Sequence, residues 1–172
     1  MSSGLLKGKQ ILAVDDERDV LDTIRDELED YGAEVDRASS YEEGLHKISS
    51  LTYDLIILDI MGVQGFELLE YAAGRRIPAV MLTAHSLSPE SLKTSIELGA
   101  RAYLPKDQLG LVAPFLEDVL YLGYRSGWKT LFSRLGNSFG KRFGPGWRKT
   151  EKEFWEKFER DTEVNEATIL QS

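Results

Sequence analysis

The strongest constraint on this chain is an alternation along its first 120 residues. Short, nearly all-apolar runs at residues 11–14 (ILAV), 54–58 (DLIIL) and 78–82 (PAVML) are separated by longer segments with apolar residues every three or four positions. A strand apolar on both faces must be covered by helices on both sides, as in parallel sheets. Two weaker runs, residues 33–38 (AEVDRA) and 100–104 (ARAYL), suit the edges of such a sheet. Val20, Leu21, Ile24 and Leu28 mark one helix, and Leu92, Ser95, Ile96 and Gly99 mark another. Residues 41–50, 66–73 and 108–122 fill the remaining helical places. Five strands alternating with five helices predict a doubly wound α/β fold with a parallel sheet.

The sequence has 172 residues, a length that suits one domain with a small appendage. Its 42% apolar and 29% charged residues fit a soluble globular protein and argue against extended disorder. It has no cysteine, which excludes disulfides, thiolate metal sites and cysteine nucleophiles. The first ten residues lack a secretory h-region, and no run approaches the length of a membrane span, so a cytoplasmic location is expected. A net charge of -8 disfavours nucleic-acid binding by the whole molecule. That charge is unevenly spread. Residues 1–120 carry 22 acidic and 11 basic side chains, whereas residues 121–160 carry ten Lys or Arg against four Glu. The shift marks a boundary near residue 120.

In a doubly wound sheet, ligands bind at the carboxyl ends of the strands. There the sequence places Asp15, Asp16 and Glu17 after the first run, Asp59 after the third, Thr83 after the fourth and Lys106 after the fifth. Asp15, Asp16 and Asp59 crowd negative charge and call for a cation, and oxygen ligands of this kind suit Mg²⁺. Asp59 is placed to attack phosphorus and form an acyl phosphate. The Lys106 ammonium can bind the transferred group, and the Thr83 hydroxyl can donate to another of its oxygens.

Together these residues resemble the receiver domain of two-component response regulators. The resemblance covers roughly residues 9–123: the pair Asp15-Asp16, Asp59 after LIIL, Thr83-Ala84 after AVML, and Tyr103 three positions before Lys106, in that order. It implies a flavodoxin-like sheet of order 2-1-3-4-5. It further implies that Asp59 takes phosphate from a sensor histidine kinase or phosphotransfer protein, with Asp15, Asp16, Asp59 and the Met61 backbone carbonyl arranging Mg²⁺. Thr83 and Tyr103 would form a switch altering the surface of the fourth helix, fifth strand and fifth helix. His85, two residues after Thr83, occupies a position that can tune phosphate lifetime, while His46 is expected to be only surface.

The sequence departs from the family pattern in two places. The segment after Asp59 reaches glycine at Gly65, two positions early and without proline. Lys106 is followed by Asp107 rather than proline, which leaves the state of that peptide bond open.

Residues 124–172 form a basic, aromatic-rich extension with a short acidic tail. Trp128, Leu131, Phe132, Leu135 and Phe139 predict an amphipathic helix over residues 126–141, weakened by Gly136 and Gly140. After a turn at residues 143–146, Thr150 and Glu153 suggest a capping box for a second helix bearing Phe154, Trp155 and Phe158. The resulting hairpin has three readings: packing on the receiver or in a homodimer, docking of a partner protein, or contact of residues 121–160 with an anionic membrane surface or nucleic acid.

The leading expectation for function is a phosphorylatable signalling module that acts through protein contacts, without a DNA-binding output. A Mg²⁺-dependent phosphohydrolase is the alternative, but it needs a second aspartate two positions after the nucleophile, where this chain has Met61. A constitutive scaffold lacking phosphorylation is disfavoured because every chemical residue is present.

Overall fold

A computed structural model of the chain describes residues 4–84 and 87–162. Its strands are β1 (Gln10–Val14), β2 (Glu34–Ala38), β3 (Leu55–Asp59), β4 (Ala79–Thr83) and β5 (Ala102–Pro105). All pair in parallel, in the order β2-β1-β3-β4-β5. β3 and β4 are buried along their whole length and β1 along all but its first residue, as all-apolar runs require. The weaker runs lie at the two edges, as expected.

Helices α1 (Arg18–Glu29), α2 (Tyr41–Ser50), α3 (Gly65–Gly74), α4 (Pro89–Glu97) and α5 (Val112–Tyr121) connect and follow the strands. α1 packs beside α5, and α2 beside α3. A 3₁₀ segment, Lys106–Leu111, precedes α5, so that helix begins later than its apolar spacing suggests. Pro114 accounts for this, because a residue without an N–H is tolerated in the first turn of a helix and disrupts its interior. The bond after Lys106 is trans, since no described peptide bond is cis.

The predicted hairpin is present as α6 (Tyr124–Phe143) and α7 (Lys152–Thr162), with a 3₁₀ turn at Trp147–Glu151. Thr150 lies inside that turn and therefore does not cap α7. α6 continues through Gly136 and Gly140 to end at Gly144, whose φ of 89° favours glycine. Three interior glycines each cost a helix roughly 1 kcal/mol, so α6 depends on what it packs against. That is the receiver face formed by β5 and α5. The Trp128 indole N–H donates to the Ala100 carbonyl at 3.2 Å. Phe139 meets Tyr103 of β5, and the Arg134 guanidinium lies over the Phe115 ring of α5.

Trp128, Phe132, Phe139, Trp155 and Phe158 join the sheet residues in one continuous apolar cluster. Of the three readings of the aromatic stripe, the structure supports packing on the receiver: the rings proposed for membrane or nucleic-acid contact face inward. Around this seam, Lys93 pairs with Glu151 at 3.2 Å, Arg134 with Asp118 at 3.3 Å, and Arg142 with Asp107. Among the described residues, no helix is long and apolar enough to cross a membrane.

Candidate functional site

The carboxyl ends of β1, β3, β4 and β5 bring Asp15, Asp59, Thr83 and Lys106 to one rim. Strand ends differ slightly from the sequence expectation: Asp59 and Thr83 are the last residues of β3 and β4 rather than the first residues beyond them. Ladder pairing therefore holds their backbones, and the Ile60 N–H continues the ladder by donating to the Leu82 carbonyl at 3.1 Å. Carboxylate and hydroxyl both stand on strand rather than loop.

Lys106 is the hub of the site. Its Nζ lies 2.8 Å from Asp15 Oδ2, 2.9 Å from Glu17 Oε1 and 3.1 Å from Asp59 Oδ1. Burial alone would lower its pKa, but the carboxylates of Asp15, Glu17 and Asp59 outweigh burial and hold it above the ordinary lysine value. Asp15 is fully buried, and burial raises its pKa to about 6; Lys106 and the Glu17 N–H oppose this rise, and the Asp59 charge adds to it. Asp15 Oδ1 accepts from the Glu17 N–H at 2.9 Å. Asp15 Oδ2 forms the ion pair with Lys106 and has no other partner among the described residues.

Asp15 belongs to a group of three carboxylates, Asp15, Asp16 and Glu17, whose ligand atoms all lie within 4.8 Å of one another. An all-oxygen donor set with an uncommitted buried lone pair fits a hard divalent cation such as Mg²⁺. The sequence reading named Asp15 and Asp16 for this role and left Glu17 unassigned. The sequence places Glu17 on this rim, and the structure adds its contact with Lys106, 89 positions away.

The short segment after Asp59 closes tightly. Gly65 N–H donates to the Ile60 carbonyl at 3.0 Å and Gln64 N–H to the Met61 carbonyl at 3.3 Å. A Cβ on Gly65 would fall 2.1 Å from the Asp59 carbonyl oxygen, so only glycine fits there. Gly62 serves the site directly. Its N–H donates to Asp59 Oδ2 at 3.1 Å, and a Cβ there would lie 2.3 Å from the Asp16 carboxylate. The Met61 side chain is exposed, and its carbonyl keeps a second lone pair free beside the turn bond.

Thr83 is 1% exposed, and among the described residues its Oγ1 has no hydrogen-bond partner. A buried hydroxyl left unmatched costs about 1–3 kcal/mol. Tyr103 is fully buried, which raises its hydroxyl pKa. Its oxygen lies 2.6 Å from Ser91 Oγ and 3.3 Å from the Ser88 N–H at the start of α4. His85 lies outside the described residues, and His46 is exposed as expected.

Comparison with known proteins agrees with this geometry. A model of the response regulator receiver domain matches residues 11–110. The chain is 35% identical over 101 residues to the transcriptional regulatory protein DltR of Streptococcus agalactiae, a match covering 56% of this chain and 45% of that protein. It is 34% identical over 110 residues to an uncharacterized 14.6 kDa protein of Leptolyngbya boryana, covering 59% of this chain and 83% of the other. It thus spans less than half of the first of these relatives. Among solved structures, a CheY-like response regulator receiver domain protein from Methanospirillum hungatei superposes with a TM-score of 0.58 at 32% identity, over 68% of this chain and 100% of that one. A two-component response regulator from Clostridium difficile gives 0.61 at 27% identity, over 66% and 97%. The family match ends at residue 110, before α6 begins.

Proposed function

The chain belongs to the response regulator receiver family, and from that premise we propose that Asp59 is its phosphoacceptor, with a sensor histidine kinase or phosphotransfer protein as donor. One Asp59 oxygen attacks the donor phosphorus, the P–N bond to the donor histidine breaks as the new P–O bond forms, and the departing imidazole nitrogen keeps the electron pair and takes a proton from solvent. Asp15, Asp16, Asp59 and the Met61 carbonyl would hold Mg²⁺, which supplies charge neutralisation at the phosphoryl oxygens. Lys106, already 3.1 Å from Asp59 Oδ1, binds one oxygen of the transferred group. Thr83 donates to another.

The observation that carries this reading is the buried Thr83 hydroxyl, which lacks a partner among the described residues, on a rim where Lys106 joins Asp15 to Asp59. An added phosphoryl group would satisfy both, and its different contacts with Thr83 and Lys106 would shift the population of surface states read by downstream proteins. The phosphohydrolase alternative finds no acid two positions after Asp59, where the side chain is the exposed Met61. The full chain incubated with Mg²⁺ and acetyl phosphate should gain one acid-stable, base-labile phosphoryl group, seen by intact mass and absent from Asp59→Asn. No modification, together with no binding of the phosphate mimic beryllofluoride, sinks the proposal.

A further inference from the structure

The hairpin approaches the candidate phosphoryl site through one buried contact. Phe139 of α6 meets Tyr103 edge to face, with ring centroids 5.7 Å apart and planes at 71°. Phe139 is itself fully buried, and rings on both sides hold it: Phe132 at 5.7 Å and Phe143, stacked, at 5.6 Å. Tyr103 therefore has no outward rotamer unless α6 moves. The tyrosine hydroxyl in turn contacts Ser88 and Ser91, which cap and begin α4 at the end of the segment leaving Thr83. Register places Tyr103 opposite Met81 and Pro105 opposite Thr83, so Tyr103 stands one pleat behind Thr83 on the same face of the sheet. A second, exposed link joins α6 to the same rim, because Arg142 pairs with Asp107, the neighbour of Lys106.

We propose that Phe139 is a positioning residue for the phosphoryl site: it holds Tyr103 against Ser88 and Ser91 and so keeps the Thr83 end of β4 in the arrangement that accepts a phosphoryl oxygen. This rests on the phosphoacceptor reading above. The sign follows from population arithmetic. When only one arrangement of Tyr103 is competent, the dissociation constant measured for a ligand rises as the competent fraction falls. Phe139 excludes the outward arrangements, so removing it weakens binding of a phosphoryl mimic rather than strengthening it. By reciprocity, the bound mimic must stabilise hairpin docking by the same factor.

The test is a titration of the full chain with beryllofluoride at saturating Mg²⁺, using wild type, Phe139→Ala, Tyr103→Ala and the double variant. Phe139→Ala is expected to weaken binding by at least about fivefold, the lower end of typical coupling between sites. In the Tyr103→Ala background the same substitution should cost nothing further, which a merely structural role of Phe139 would not produce. If circular dichroism shows that Phe139→Ala has lost helix, Phe139→Leu carries the test, with a smaller loss that again vanishes without Tyr103. Unchanged or tighter binding on loss of Phe139, or an equal loss with and without Tyr103, overturns this inference alone. A wild-type chain that takes no beryllofluoride overturns the phosphoacceptor reading together with it.

Discussion

The sheet rim and the C-terminal hairpin are assembled by opposite means. At the rim, backbone hydrogen bonds hold the strand ends, and three mutually repelling carboxylates are gathered around one ammonium. In the hairpin the order reverses. α6 has Gly127, Gly136 and Gly140 in its interior and weak intrinsic helicity, and buried rings hold it in place. One region is rigid and electrostatically strained, and the other is conditional and apolar. The proposed gain and loss of a phosphoryl group at the rim calls for the first kind of scaffold, and the proposed response of the hairpin calls for the second.

The largest test of this contrast is Asp59→Asn. Phosphoryl transfer should vanish, while hairpin helicity and the unfolding midpoint stay close to wild type. An appreciable loss of hairpin structure would mean that the two regions are not separable in this way. Trp128→Ala attacks the other side. It removes a fully buried ring and leaves the Ala100 carbonyl without its donor, for an expected loss of about 3–5 kcal/mol in denaturant unfolding. Because hairpin and sheet share one apolar cluster, wild type should unfold in a single transition; two transitions would show the hairpin to be an independent unit.

Gly62→Ala returns to the rim with a smaller expected effect. A methyl group there meets the Asp16 carboxylate, so the Mg²⁺ concentration needed for half-maximal phosphorylation should rise roughly tenfold or more. An unchanged Mg²⁺ requirement would remove Asp16 from the cation site. Glu151→Gln tests the ring of charges around the hairpin. The Lys93–Glu151 pair is half exposed on the glutamate side, and its loss should cost under about 1 kcal/mol and disappear at high salt. A large loss that high salt abolishes would mean that charge, rather than the rings, holds α7.

The smallest effect lies at the far edge of the sheet, away from the hairpin. Burial acts to raise the Asp36 pKa, but Lys47 and the Tyr53 hydroxyl, at 2.7 Å and 2.6 Å, outweigh it and hold the carboxyl below its ordinary value. A carboxylate whose pKa is lowered by folding stabilises the protein above its unfolded value near 4. The stability advantage of wild type over Asp36→Asn should therefore be full at neutral pH and shrink as pH falls through that lowered pKa. A difference that does not change with pH would show that the contacts, and not the charge, matter there.

Most of the receiver fold is legible in the residues because period and burial are coupled. Residues such as 54–58 and 78–82 admit no solvated face, and the polar residues following each run must emerge at the same rim. Asp15, Asp59, Thr83 and Lys106 could be named on that ground. The pairing of Glu17, and Gly62 and Ser91 altogether, could not. Each owes its place to a single close approach: Glu17 to Lys106, Gly62 to the Asp16 carboxylate and Ser91 to the Tyr103 hydroxyl. Periodicity carries no information about such distances.

The hairpin marks the same limit from the other side. Its apolar spacing, charge and turn residues already dictate two helices with one sticky face, because helical period and glycine chemistry act locally along the chain. Which surface that face meets is not local. Packing on the receiver, pairing with a second copy and contact with a membrane all bury an aromatic stripe equally well, and the choice depends on the fit of Phe139 against Tyr103 and of Trp128 against Ala100. Only the folded chain brings those surfaces within van der Waals reach.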